Sequence, residues 1–214
     1  MSQTELQPFF SPDTIEQRSF EIIDSEVPEP RPFEGAEWTV ARRLIHTTAD
    51  FDLLNHILFH PQAITAGITA IRNGCTIFTD TEMARAGIPV RRTEPFGSST
   101  QCLLNRPDVI KKAKESGSTR AQAAMDAAAP EIGGSIMAIG NAPTALIRLM
   151  QHLEKGGTPP ALIVGMPVGF VNAAESKEIL LAQSTVPYIT IRGRKGGSPL
   201  AAATVNALAI LASE

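Results

Sequence analysis

Cysteine, aromatic side chains, long apolar runs and excess positive charge are all scarce in this chain. Its two cysteines, Cys75 and Cys102, cannot form a disulfide framework and lack the CxxC spacing of a zinc site. They read as thiols buried in strands. Aromatics make up 5 % of 214 residues, too few for a base-stacking platform. The net charge is −3, which leaves no basic excess to hold nucleic acid without specificity. No apolar run approaches the roughly 20 residues that span a bilayer. The first dozen residues have neither the basic start nor the apolar stretch of a signal peptide. A cytoplasmic location, with no membrane and no nucleic acid as partner, is the expectation.

Familiar chemical motifs are missing too. There is no GxxxxGK[ST], and Gly165-Met166-Pro167-Val168-Gly169 is not GxGxxG. Gly193-Arg194-Lys195-Gly196-Gly197-Ser198 has the composition of a phosphate loop but the wrong order. No GxSxG elbow supports a hydrolase serine. Of the four histidines, His56 and His60 stand four apart, but His60 precedes Pro61. Capping or surface roles suit that pair better than metal binding.

What is present is an ordinary globular composition, 43 % hydrophobic and 19 % charged, of a length that suits a single domain over residues 1–214. Residues 1–12 read as a loose tail. Residues 13–73 read as helical and 74–214 as alternating strands and helices. Ser11-Pro12-Asp13 is a helix-start sequence, with Ser11 as cap. Ile15, Ser19, Ile22 and Ile23 recur at helical spacing, which turns Ser19 inward. The prolines of Val27-Pro28-Glu29-Pro30-Arg31-Pro32 demand an extended connection. A second helix over 34–48 has Trp38, Ala41, Ile45 and Thr48 as its buried stripe, and a third over 61–73 stops at Gly74.

Beyond Gly74 the pattern changes. Strands are expected at 75–79, 99–104, 134–140, 161–166 and 188–192. Helices are expected between them, at 81–86, 106–125 with a break near Gly117, 141–154 capped by Asn141, and 173–184. A helix at 199–212 closes the chain. Short, continuously apolar strands separated by helices imply an α/β fold with a parallel five-stranded sheet covered on both faces. Ligands of such sheets bind outside the carboxyl ends of the strands.

The polar groups that stand out are arginines around one histidine. On a helix, Arg42 and Arg43 lie four and three residues before His46, on one flank. Two fixed cations disfavour protonation of a neighbouring imidazole, and a bound polyanion reverses that tendency. Arg120, Arg192 and Arg194 fall where segments should face a ligand. Local arginine clusters on an acidic chain suit a small ligand carrying several carboxylates, which the planar guanidinium meets in a bidentate way.

These residues fall in segments that together resemble one family. The segments are Glu16-Gln17-Arg18-Ser19-Phe20, Arg43-Leu44-Ile45-His46, Thr79-Asp80-Thr81-Glu82-Met83, Ser118-Thr119-Arg120 and Ala138-Ile139-Gly140-Asn141-Ala142-Pro143-Thr144-Ala145-Leu146. They continue with Gly165-Met166-Pro167-Val168-Gly169-Phe170-Val171, Ala173-Ala174-Glu175-Ser176-Lys177 and Arg192-Gly193-Arg194-Lys195-Gly196-Gly197-Ser198. In this order, from Ile15 nearly to the C-terminus, the chain resembles the precorrin-8X (cobalt-precorrin-8) methylmutases of vitamin B12 biosynthesis.

The resemblance implies a flavodoxin-like sheet of strand order 2-1-3-4-5 and a homodimer with the corrinoid substrate near the subunit interface. It implies a methyl shift from C-11 to C-12 of the ring, without redox change, metal or cofactor. It places the catalytic histidine at His46 and substrate binding at Ser19 and Arg43, with further ligand contacts at Arg120 and Gly169. Two other readings stand beside it. A non-catalytic carrier of the same corrinoid would use the same anion site. A nucleotide- or flavin-binding module would rest on the fold class and glycine loops alone.

Overall fold

The structure, a computed structural model, describes residues 11–183 and 185–214. Most of the expected tail lies outside them. In chain order the elements are α1 (Pro12–Glu26), α2 (Gly35–Thr48), a 3-10 turn at Phe51–Asn55, β1 (Ile57–Phe59), α3 (Ala63–Arg72), β2 (Thr76–Thr79), α4 (Glu82–Ala86), α5 (Val90–Thr93) and β3 (Ser99–Cys102). Then follow α6 (Pro107–Ser116), α7 (Arg120–Ala128), β4 (Ile136–Ile139), α8 (Pro143–Glu154), β5 (Leu162–Gly165), α9 (Ala173–Ala182), β6 (Tyr188–Ile191) and α10 (Ser198–Ser213).

The sheet has six strands, not five, in the order β1-β6-β5-β4-β2-β3. β2 to β6 are the five expected strands, all parallel, and among themselves they follow the order 2-1-3-4-5. The addition is β1, which runs antiparallel along β6 with Ile57 opposite Ile191 and Phe59 opposite Ile189. The stretch read as helical at 13–73 therefore includes one strand of the sheet.

Alternation along each strand divides the core in two. Ile136 and Ala138 of β4 and Leu162 and Val164 of β5 face one side, with α2, α3 and α10. Met137, Ile139 and Ile163 face the other, with α6, α7, α8 and α9. α10 lies between the sheet and α2, so nearly its whole circumference is buried. Its run of alanines fits, because small side chains let both neighbours approach closely.

Several local expectations are corrected. Ser11 precedes α1 but makes no side-chain cap; its hydroxyl lies 3.1 Å from that of Thr14. Ile15 and Ile22 are 51 % and 43 % exposed, while Ile23 and Val27 carry the buried edge of α1. The helix packs on α2 alone among its larger contacts, so its buried strip is narrow. Thr48 is exposed and returns its hydroxyl to the Leu44 carbonyl at 3.0 Å. Asn141 does not cap α8. The buried carboxylate of Asp80 accepts the N–H groups of Gly140, Asn141 and Ala142 at 3.0, 2.7 and 2.6 Å, which ties down the turn leading into the helix. Burial pushes the Asp80 carboxyl above its ordinary range, and the three N–H bonds pull it back in part. Cys75 and Cys102 are half-buried rather than buried, and desolvation raises both thiols.

Candidate active site

His46 lies two residues from the end of α2, and its side chain is exposed. Its ring meets the Phe20 ring edge-on, with centroids 5.3 Å apart. α1 crosses α2 so that Ser19, half-buried, shares with His46 a cavity of about 240 Å³ whose walls include Ile22, Ile23, Ile45 and Phe51. The helical spacing thus turned Ser19 toward a hollow beside the histidine, not into the core.

Arg43, one turn earlier, is buried at 8 % exposure, and its Nη1 donates to Glu16 Oε1 of α1 at 2.7 Å. The Arg43 guanidinium holds the Glu16 carboxyl below the usual carboxylate range against the opposing effect of burial; Arg92 and His46 add smaller pulls in the same direction. Arg92, on α5, is therefore part of this cluster, although nothing in the sequence marked it. Burial first, and Arg43 second, lower its guanidinium from the ordinary value. Arg43 Nε, buried, has no hydrogen-bond partner among the described residues. Two arginines and one carboxylate leave a net positive charge beside the imidazole.

Arg42 behaves differently from the expectation. Its Nη1 turns to Asp24 Oδ2 at 2.6 Å, and its guanidinium stacks on Phe20 at 4.4 Å. Asp24 also accepts the Trp38 indole N–H at 2.9 Å. Arg42 is thus tied into the α1–α2 contact. Arg192 is likewise committed, to Glu178 in a bidentate pair at 2.8 and 2.9 Å. Arg194 is exposed, with its guanidinium 5.5 Å from the Phe170 ring centroid.

Arg120 opens α7 and is exposed, and its side-chain hydrogen bond goes to Asn105 Oδ1 at 3.4 Å, not to the His46 cluster. Gly169 has φ +143°, a region L side chains rarely adopt, and the space where a Cβ would stand is open. Its N–H donates to the Arg194 carbonyl at 3.2 Å, so this loop lies against the one after β6. The structure therefore brings together Ser19, Arg43 and His46, and sets Gly169 and Arg120 on loops of their own. His56 pairs with Asp52 at 3.2 Å and His60 Nδ1 accepts the Gln62 N–H at 3.2 Å, which gives both the local roles expected of them.

The crevice where strand order reverses, between β2 and β4, is the usual ligand site of such sheets. Here the chain itself fills it. A Cβ on Gly140 would stand 2.6 Å from Ser198 Cα, and Thr81 Oγ1 lies 2.8 Å from Ser198 Oγ. The nucleotide reading loses its most natural site.

Known proteins resemble this chain over nearly its whole length. The family model for precorrin-8X methylmutase matches residues 14–211. The cobalt-precorrin-8 methylmutase of Priestia megaterium is 45 % identical over 98 % of this chain and 93 % of its own. The precorrin-8X methylmutase of Pseudomonas aeruginosa is 46 % identical over 79 % of this chain and 82 % of its own. The crystal structure of precorrin-8x methyl mutase from Thermus thermophilus superposes with a TM-score of 0.88 at 42 % identity, covering 94 % of this chain and 96 % of that one. With a family model matched over residues 14–211 and relatives near 45 % identical across most of its length, the chain belongs to the precorrin-8X methylmutase family.

Proposed function

We propose that the chain is the isomerase of vitamin B12 biosynthesis that moves a methyl group from C-11 to C-12 of precorrin-8X or cobalt-precorrin-8, giving hydrogenobyrinate or cobyrinate, with His46 as proton donor. The observation that carries this reading is the exposed imidazole of His46, which shares a hollow with Ser19 beside a buried, carboxylate-braced Arg43.

The chemistry asks little of the protein. The C-11–methyl bond breaks and the C-12–methyl bond forms within one conjugated ring, so no group enters or leaves. A proton delivered to the ring C nitrogen redistributes charge in the transition state, and its return leaves the enzyme unchanged. Positioned proton transfer typically contributes roughly 10²–10⁴-fold, about 3–5 kcal/mol. Holding the macrocycle in one reactive shape supplies more. No nucleophile is needed. The net positive charge of Arg43, Arg92 and Glu16 suits the acetate and propionate groups of the substrate. Arg120 and Gly169 supply further contacts in this reading. Both names occur among the relatives, so cobalt is cargo within the macrocycle.

The hollow at His46 holds about 240 Å³, which is small for a macrocycle; sites for drug-sized ligands run from about 300 to 1,000 Å³. An edge of the ring fits there, and the rest lies across the surface. Segments leaving the carboxyl ends of the strands expose Phe170, Val171, Met83 and Val90 at 83, 78, 68 and 63 %. A homodimer, with the second copy set over this rim, completes the enclosure.

His46→Ala tests the mechanism. The variant should fold and still shift the absorption spectrum of added precorrin-8X, yet form no isomer of equal mass. Wild-type conversion by that variant would sink the donor role. A wild-type protein that only shifts the spectrum reversibly would mark a carrier.

A further inference from the structure

Lys177 of α9 has no exposed surface, and its ammonium has one protein acceptor among the described residues, the Lys195 carbonyl at 2.7 Å. Taking an ammonium out of water is costly, and a methionine of similar length would fill the same space without that cost. What the cation does is hold a backbone carbonyl in the loop between β6 and α10.

That loop is the hub of the surface described above. The Lys195 ammonium donates to Asp50 Oδ2 at 2.6 Å and Asp52 Oδ2 at 2.8 Å. Asp50 opens the turn directly after α2, and its other oxygen accepts the Asp52 N–H at 3.0 Å. Ala49, in the left-handed conformation, joins this turn to the helix end that carries His46. On its other side the loop takes the Gly197 N–H to the Met166 carbonyl at 2.9 Å and the Gly169 N–H to the Arg194 carbonyl at 3.2 Å. At Gly196 the backbone of Met166 and Pro167 occupies the place a Cβ would need. One connected set of contacts thus runs from a buried ammonium to the end of α2 and to the Gly169 loop.

We propose that Lys177 and Lys195 are positioning residues for the methyl shift: Lys177 fixes the Lys195 backbone, and the Lys195 side chain braces Asp50 and Asp52, setting the separation between His46 and the Gly169 loop. This rests on the reading of His46 as proton donor. The Lys195 ammonium is matched by two carboxylates, so it is not a free cation for the substrate. Its hold on Asp50 and Asp52 keeps both carboxyls below their ordinary range, Asp52 at about 2, so the brace stays charged through the neutral range. Misplacement of a reacting group by about 1 Å can cost on the order of 10²-fold in rate, which is the scale available to such a brace.

Steady-state kinetics with precorrin-8X on Lys177→Met, Lys195→Met, their double variant and Asp50→Asn/Asp52→Asn test it, with His46→Ala in parallel. Each should lose roughly 10–100-fold in kcat with KM within about twofold of wild type. The double lysine variant should be no worse than the poorer single one, and Lys195→Arg should recover most of the rate. Circular dichroism checks folding; if Lys177→Met does not fold, the half-exposed Lys195 and aspartate variants carry the test. A raised KM at unchanged kcat in Lys195→Met would mean direct substrate contact and overturns the brace. Multiplicative losses in the double variant overturn it too. Wild-type rates in the lysine variants beside an inactive His46→Ala defeat the brace alone. Wild-type turnover by His46→Ala defeats the donor reading, and the brace with it.

Discussion

Two buried ionic groups show how differently this fold treats charge. Asp80 is surrounded by three backbone N–H donors, which supply much of what water would have given it. Lys177 has a single carbonyl, and desolvation lowers its pKa from 10.5 to about 8. The sign of the linkage follows. Below about 8 the lysine is charged in folded and unfolded chain alike, and the burial penalty is at its full size. Between about 8 and 10.5 the folded chain has released the proton and the unfolded chain still binds it, so stability rises with pH. The shift corresponds to about 3 kcal/mol. Urea unfolding of wild type and Lys177→Met at pH 7.0 to ~10.5 should show the wild type gaining about that much relative to the variant. Parallel curves would mean that the ammonium is better solvated than its burial implies. The sequence marked this residue only as the end of a family segment, and gave no sign of its acceptor, 18 positions later in a loop.

At the level of elements, legibility followed how much of each contact is local. The five parallel strands were readable because each is an apolar run between helix signals. β1 was not: three residues, Ile57 to Phe59, are too short for a period, and their pairing partners are 130 or more positions away. The Arg43–Glu16 pair, 27 positions apart, depends on the crossing of two helices and left no mark in the sequence. His46 and Ser19 were named because family motifs and helical spacing point to them, and the fold sets them on one hollow, whereas Arg92 needed the fold to bring α5 beside α1. Asn141 was read as the cap of α8, but it stands one residue before the N-cap position, Ala142, and its own N–H is held by a side chain 61 positions earlier. The crevice between β2 and β4 yields a prediction of its own. A Cβ on Gly140 would stand 2.7 and 2.6 Å from Ser198 N and Cα, against backbone that cannot yield cheaply. Gly140→Ala should therefore destabilise the protein by about 1–3 kcal/mol, measured as a lowered denaturation midpoint at constant slope. An unchanged midpoint would show that the start of α10 is free to move away from the sheet.

For the whole molecule the open question is what lies over the carboxyl edge of the sheet. Its rim carries exposed Phe170 and Val171 after β5, and Met83 and Val90 after β2. Single exposed apolar residues are ordinary, but four large ones on segments that leave the carboxyl ends of the strands, two of them beside Gly169, are a surface in need of a cover. The macrocycle alone is a poor candidate for all of it, because its carboxylates must reach arginines rather than phenylalanine and valine. A second copy meets both demands, since an isologous contact repeats the same rim on each side of a twofold axis. Analytical ultracentrifugation should give twice the chain mass for the wild type. Phe170→Glu/Val171→Glu, which places two carboxylates in the contact, should give the chain mass, with conversion of precorrin-8X falling in step as the enclosure is lost. A double variant that still sediments as a dimer would place the subunit contact elsewhere. It would also return the exposed rim to the substrate alone.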